Sequence, residues 1–238
     1  MSAGARQLVM SEIFGDNRMR LLVLIVLILG SIVSKVAAAD AVCPFERCTG
    51  IWAASAKTPY LSPDFNPTNI PAPNAKYSIN ATREGLSLVG TRSNPSHLEI
   101  LLNPPLVEVL WSPDSRNFVI NVSDGGLVGS WEAKFYAIDA DGRPVSLDIQ
   151  NIIMPIANKL LKCEPKEEAN IGAVSWLNDG EEVLIIAEVP PHSSCQNMGA
   201  VFGFRVSIKS GKILERISED DLHKKWPNVL GCRFKKIP

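Results

Sequence analysis

The sequence predicts a mainly β fold, in which antiparallel strands carry one inserted helix and follow an N-terminal signal or anchor helix. Three observations predict it: an apolar run near the N-terminus, a series of short β-branched and aromatic runs separated by turn residues, and one segment with helical periodicity. Together they divide the chain into a leader, residues 1–39, a linker, residues 40–75, and a β domain, residues 76–238.

The leader has the order of a bacterial-type signal peptide. Two arginines precede an apolar run over residues 21–33, and small residues follow at 37–39. A charged end, an apolar helix and small residues at the cleavage site are the three parts of an export signal. Lys35 closes the run well short of the about 20 apolar residues that span a bilayer. Cleavage after Ala39 or Ala41 is therefore predicted, which makes the mature protein periplasmic or secreted.

Two alternatives for the leader stay open. The first is a retained signal anchor, in which residues 21–33 hold the chain at the inner membrane and make it a membrane-anchored accessory protein. The second is a lipid anchor on Cys43. Val42 argues against this one, because a lipoprotein signal has a small residue directly before the cysteine. Contact with a membrane is expected only through the N-terminal helix, if it is not cleaved.

Charge and cysteine content limit the classes of partner. The formal net charge is −1, so the chain has no basic field that would bind nucleic acid. All five cysteines follow the leader, in a part of the chain where an oxidising compartment favours disulfides. No Cys-x-x-Cys spacing indicates a zinc or redox site. The odd count leaves at least one thiol unpaired or paired with another chain.

The linker, residues 40–75, is rich in proline. Proline removes a backbone donor and fixes φ, so the stretch is predicted to be an extended loop or surface wrap instead of sheet interior. Cys43 and Cys48 enclose four residues within it, a spacing that suits a short disulfide.

The β domain carries the strand pattern. Runs of β-branched and aromatic residues alternate with turns containing Gly, Pro, Asn and Asp, which is typical of antiparallel all-β domains. Residues 147–166 interrupt the series with apolar residues at steps of three and four, and predict a helix that Pro155 kinks or divides. The predicted strands are 77–81, 86–91, 98–102, 107–111, 118–122, 133–138, 174–177, 183–189, 202–208 and 213–217.

An internal repeat relates two of the predicted hairpins. Residues 111–120 align without gaps with residues 176–185, and a fainter copy, residues 72–77, lies 40 residues before its counterpart in the first. In both strong copies a strand ends on tryptophan, a tight turn containing aspartate follows, and a second strand begins. A period of about 40 residues is that of one four-stranded blade. The second interval, 65 residues, is one such period plus roughly the length of the helix.

The repeat resembles the blades of TolB-like and related tryptophan-aspartate-type β-propellers. The resemblance covers residues 72–218 and rests on Trp111-Ser112-Pro113-Asp114 and on Asp139-Ala140-Asp141-Gly142, with a looser match over residues 176–180. It implies structural roles, in which aspartate and glycine make the turn and the aromatic residue packs between blades. The residues concerned are Trp111, Pro113, Asp114, Trp176, Asp179 and Gly180.

The blade count departs from that family. Closed propellers have about four to eight blades, and this chain has room for about three. The resemblance therefore implies an incomplete β-propeller, which stays open or closes by pairing with another chain. A β-sandwich with a chance repeat is the alternative.

No set of residues indicates catalysis, a metal or a cofactor. The three histidines lack metal-ligand spacing, and no serine has the sequence of a nucleophile elbow. The Asp139 turn begins like a calcium loop, but Gln150 stands where such a loop has glutamate. Long loops on a sheet often bind ligands, so residues 190–199 are predicted as a candidate binding loop. Its polar residues are His192, Ser194, Cys195 and Asn197.

These observations favour a non-enzymatic protein-binding module of the envelope, whose partner is another envelope protein or a second copy of the chain. A periplasmic hydrolase or enzyme subunit is the alternative, because propellers also carry hydrolase sites. That alternative requires two or more of five residues to meet in one pocket: His97, Asp114, Asp179, Glu188 and His192.

Overall fold

The structure, a computed structural model, describes residues 50–57, 67–82, 85–90, 95–98, 106–124 and 129–235. Within these ranges the chain forms three four-stranded antiparallel sheets, and each is a meander of strands consecutive in sequence. The leader and the first two cysteines lie outside the described residues. No helix in the described part is long and apolar enough to span a bilayer.

The predicted mainly β, antiparallel architecture is confirmed. The first sheet contains β1 (Thr68–Pro71), β2 (Tyr77–Thr82), β3 (Gly85–Gly90) and β4 (Ser96–His97). The second contains β5 (Val107–Trp111), β6 (Asn117–Ser123), β7 (Trp131–Ile138) and β8 (Pro144–Leu147). The third contains β9 (Asn170–Leu177), β10 (Glu182–Glu188), β11 (Val201–Ser207) and β12 (Ile213–Ile217). The helices are α1 (Ile149–Asn158) and α2 (Glu219–Lys225).

Three strands lie outside the predicted ones. β4, at residues 96–97, precedes the predicted strand 98–102, of which only residue 98 is described.

The other two, β1 and β8, were missed because each contains a proline. β1 ends on Pro71 and β8 begins at Pro144. Both are edge strands of their sheets, and a proline there leaves the ladder with the neighbouring strand intact.

Two described parts of the predicted linker belong to the fold. β1 lies within it, and so do residues 50–57, here called the strap. Ile51, Trp52, Ala53 and Ala56 of the strap are at most 1% exposed. The prolines that suggested a surface wrap begin only at residue 59, after this buried segment.

The inserted helix occupies the first half of the predicted segment 147–166. α1 includes Pro155 and ends at Asn158, so Cys163 lies beyond it. Ile149, Ile153 and Ala157 are buried at steps of four, as one stripe of a helix requires. Ile152, which the same pattern assigned to the buried face, is exposed.

The three sheets stack face to face through two hydrophobic cores. Because side chains alternate across a strand, the second sheet contributes to both. One face of β6 packs Phe118 and Ile120 with the first sheet, and the other packs Val119 towards the third sheet and α1.

A tryptophan connects each sheet to the one before it. The Trp111 indole N–H donates to the Ile70 carbonyl of β1 at 3.2 Å, and that of Trp176 donates to the Leu110 carbonyl of β5 at 3.1 Å. Ile70 and Leu110 stand 40 residues apart, so the acceptors are equivalent in the repeat, as the donors are. The repeat therefore corresponds to a recurring contact between sheets.

The hairpin turns that follow β1, β5 and β9 also recur. Equivalent residues Ala75, Ser115 and Gly180 have positive φ values of 56°, 61° and 98°. The Asn74 N–H donates to Ser115 Oγ at 3.0 Å. A Cβ on Gly180 would stand 3.1 Å from Asp114 Oδ1, so the second and third turns are in contact as well.

Replacing Trp176 with phenylalanine tests this contact. Trp176→Phe removes the indole N–H, which leaves the Leu110 carbonyl without this donor, and the smaller ring leaves a cavity in the core. We therefore expect the free energy of unfolding to fall by about 1–3 kcal/mol. Chemical denaturation measures it. Trp226→Phe is the control, since Trp226 is only half-buried and its ring contacts Lys225. Equal losses in both variants would contradict the role assigned to Trp176.

Candidate functional site

A buried carboxylate binds the strap. Glu108 lies on β5 and is fully buried. Its Oε2 accepts hydrogen bonds from the N–H groups of Ile51, at 2.6 Å, and Trp52, at 2.9 Å, and its Oε1 accepts one from Ala53 at 2.8 Å. Asn121 adds a fourth donor at 3.3 Å. All four partners donate, so the site requires an acceptor at both oxygens.

Burial raises the pKa of Glu108, and the hydrogen bonds from the strap and Asn121 oppose this only in part. The folded protein thus holds a proton there more tightly than the unfolded chain. The contribution of this group to the free energy of unfolding is therefore largest below the ordinary glutamate pKa. It declines as pH rises through that range towards the raised value.

A second buried carboxylate, Glu188, binds Arg233, whose guanidinium contacts Trp52 of the strap. Glu188 accepts from Arg233 Nε at 2.9 and 3.0 Å, and from Asn170 Nδ2 at 3.0 Å. The Arg233 guanidinium also lies 5.4 Å from the Trp52 ring and 5.8 Å from the Trp131 ring. The ion pair is internal and positions Trp52.

Glu108→Gln tests the acceptor requirement. The amide places N–H groups against donors, so we expect the free energy of unfolding at neutral pH to fall by about 1–3 kcal/mol. The deficit should narrow as pH rises, because only the wild type loses stability through the raised pKa. Glu132→Gln, on the surface, is the control. Denaturation at several pH values measures both. A stability deficit of Glu108→Gln that widens as pH rises would contradict the raised pKa of Glu108.

A groove runs along the outer rim of the sheets beside β7. Its first cavity, of about 470 Å³, lies between β4, β7, β8 and the start of α1. Its second, of about 360 Å³, lies between β7, α1 and the start of β9. Glu132 and Gln150 line both cavities. We call the two cavities together the rim groove.

The rim groove exists because β8 is half as long as β7. β8 pairs only with Phe135–Ile138, so the first half of β7 has no strand on its outer side. Side chains occupy that edge instead. The Ala133 N–H donates to Gln150 Oε1 at 2.6 Å, and the Trp131 N–H donates to Asn170 Oδ1 at 3.0 Å.

The walls of the rim groove are mainly polar and carry charges of both signs. His97, Lys134, Ser146 and Asp148 line the first cavity. The second combines acidic and apolar side chains: Met154, Glu167, Glu168 and Pro190. Within the described residues, no group of three or more His, Cys, Asp or Glu side chains is arranged to hold a metal ion.

The candidate loop, residues 190–199, is fastened to the segment after α1. A disulfide joins Cys195 to Cys163. The Asn197 side chain accepts from the Lys162 N–H at 2.9 Å and donates to the Leu160 carbonyl at 3.0 Å. Most polar groups of the loop thus hold it in place, while the His192 side chain is exposed.

Ser194 of the same loop fixes Glu167, which lines the rim groove. The Ser194 hydroxyl and N–H each donate to Glu167 Oε1 at 2.6 Å. Both hydrogen bonds lower the pKa of Glu167, and the one from the hydroxyl has the larger effect. The ionised Glu167 carboxylate therefore stabilises the folded state above the ordinary glutamate pKa, and this stabilisation is lost as pH falls through the lowered pKa.

Ser194→Ala should return the pKa of Glu167 towards the ordinary glutamate range, because it removes the hydroxyl donor. An NMR titration of the Glu167 carboxyl measures the change. Ser193→Ala is the matched control, since the Ser193 hydroxyl donates to the Pro190 carbonyl instead. An unchanged Glu167 pKa in Ser194→Ala would refute the assignment.

The disulfide is typical of an oxidising, exported location. Cys195 is buried and Cys163 half-buried. Cys232 is also disulfide-bonded.

The five residues required by the enzyme alternative do not meet in one pocket. His97 lines the rim groove, while Asp114 and Asp179 lie in hairpin turns. Glu188 is paired with Arg233, and His192 lies on the fastened loop. The arrangement gives that alternative no support.

Pro113 and Asp114, two further residues of the predicted repeat, lie in the turn between β5 and β6. Ser112 Oγ donates to Asp114 Oδ1 at 2.6 Å within the β5–β6 turn, where Pro113 is exposed. The sequence analysis did not single out Glu108. A signal for it existed, since Glu108 is the one charged residue in an otherwise apolar strand.

Nothing matches this chain in comparisons with models of protein families, with curated proteins and with solved structures. The resemblance to tryptophan-aspartate-type propellers therefore stays a prediction from the sequence.

Proposed function

We propose that this chain is an exported, non-enzymatic protein-binding module whose three sheets are the blades of an incomplete β-propeller. The observation that carries the blade interpretation is the repeated tryptophan contact. Trp111 and Trp176 bind equivalent carbonyl groups of the preceding sheets, and equivalent turns adopt positive φ. Each sheet is also a meander of four consecutive strands, as a propeller blade is.

The strap lies along the inner strands of the second and third sheets. Lys57 of the strap exchanges two backbone hydrogen bonds with Val109 on the free edge of β5. The Trp52 ring lies against Gly172 of β9. In an incomplete propeller the strap would therefore occupy the place of a central channel, and the rim groove is an open recess elsewhere on the described sheets.

The chemistry of the rim groove favours a protein partner. Small-molecule sites are mainly apolar and enclosed, whereas this groove is open and lined with charged and amide side chains. A protein segment with its own polar groups suits such walls. The disulfide supports export, so the partner is another envelope protein or a second copy, and the chain is periplasmic or secreted.

Site-specific photo-crosslinking in cells tests this function. With p-benzoylphenylalanine in place of Ser146, at the wall of the rim groove, we expect a discrete protein adduct at least about five times stronger than with the probe in place of Lys209. Both positions are exposed, and Lys209, in the β11–β12 turn, lines neither cavity of the rim groove. An adduct of twice the monomer mass identifies a second copy. Equal labelling at both positions, or none at either, would count against a binding function of the groove.

A further inference from the structure

The backbone of the strap forms hydrogen bonds with the rest of the protein along most of its length. Glu108 accepts three of its N–H groups, and Val109 exchanges two hydrogen bonds with Lys57. Residues 229–233 form four more backbone hydrogen bonds with residues 50–54, between 2.7 and 3.1 Å. These hydrogen bonds recognise the path of the strap backbone, including a turn in which the Ala56 N–H donates to the Ala53 carbonyl at 3.1 Å.

One side chain of the strap is recognised in detail. Trp52 is fully buried, with ring centroids 5.7 Å from Trp131 and 5.2 Å from Phe234. Gly172 makes room for it, since a Cβ there would stand 2.1 Å from the indole ring. The indole N–H has no hydrogen-bond partner among the described residues, so the pocket recognises the ring.

The small residues that follow Trp52 are recognised by size. Ala53 and Ala56 are at most 1% exposed and belong to the core between the second and third sheets. The slot therefore selects this backbone path, one large aromatic ring and small residues directly after it.

We propose that the strap is a tethered peptide ligand, and that the slot formed by β5, β9 and residues 229–234 binds the strap of a second copy when its own is displaced. Backbone hydrogen bonds combined with one side chain in a pocket are a general means of binding a separate peptide. Trp131 contacts both the strap and the second cavity of the rim groove, but this proposal does not depend on the function proposed for the groove.

Competition between the tethered strap and a free strap peptide sets the peptide concentration that the test requires. A tethered segment acts at an effective concentration on the order of millimolar. Removing a buried tryptophan side chain weakens its binding by about 100-fold or more. A free strap peptide with its tryptophan should then displace a tethered strap that lacks it at tens of micromolar, and should not displace the wild-type strap.

The experiment uses the full chain carrying Trp52→Ala and a fluorescent peptide of residues 49–57. We expect the peptide to bind this variant with a Kd on the order of 10–100 μM and to raise its Tm, with at least tenfold weaker binding to the wild type. The same peptide with alanine at the tryptophan position should bind at least tenfold more weakly. Adding Gly172→Ala to the variant should abolish binding, because the new Cβ occupies the ring position.

Trp52→Leu replaces the variant if Trp52→Ala shows no folded structure by circular dichroism. A folded variant that fails to bind the peptide at 1 mM, or binds both peptides equally, overturns the proposal. Photo-crosslinking at the rim groove is unaffected by either result, so the two proposals fail separately.

Discussion

The Glu108 carboxylate joins three parts of the molecule that are distant from one another along the chain. It accepts the N–H groups of the strap, and it accepts from Asn121 of β6, whose side chain in turn exchanges hydrogen bonds with the backbone of Ala173 on β9. The second sheet, the third sheet and the strap thus meet at one buried acceptor. An unpaired carboxylate at this depth would be costly, so its four donors must be in place together.

The first and third sheets differ at equivalent places. Among the described residues no sheet precedes the first, and Pro71 stands at the position equivalent to Trp111. On the third sheet, α2 packs Leu222 against Gly203 of β11, where a Cβ would stand 2.8 Å from the leucine side chain. A helix therefore covers part of the third sheet.

Strand alternation and turn residues predicted most of the sheets, because each meander is built from neighbouring segments. The strap was missed because its burial depends on residues 229–234, which lie at the other end of the chain. The rim groove was missed for a similar reason, since β4, β7, α1 and the start of β9 each supply part of it. Patterns within one segment do not show what a distant segment covers.

The pairing of the strap with residues 229–233 has a consequence for the order of folding. Contacts between distant segments carry the largest loop-closure entropy, whereas each meander forms from local contacts. In a chain that crosses a membrane from its N-terminus, the strap emerges early and its pairing partner last. The sheets can therefore assemble before residues 229–234 complete the slot around the strap.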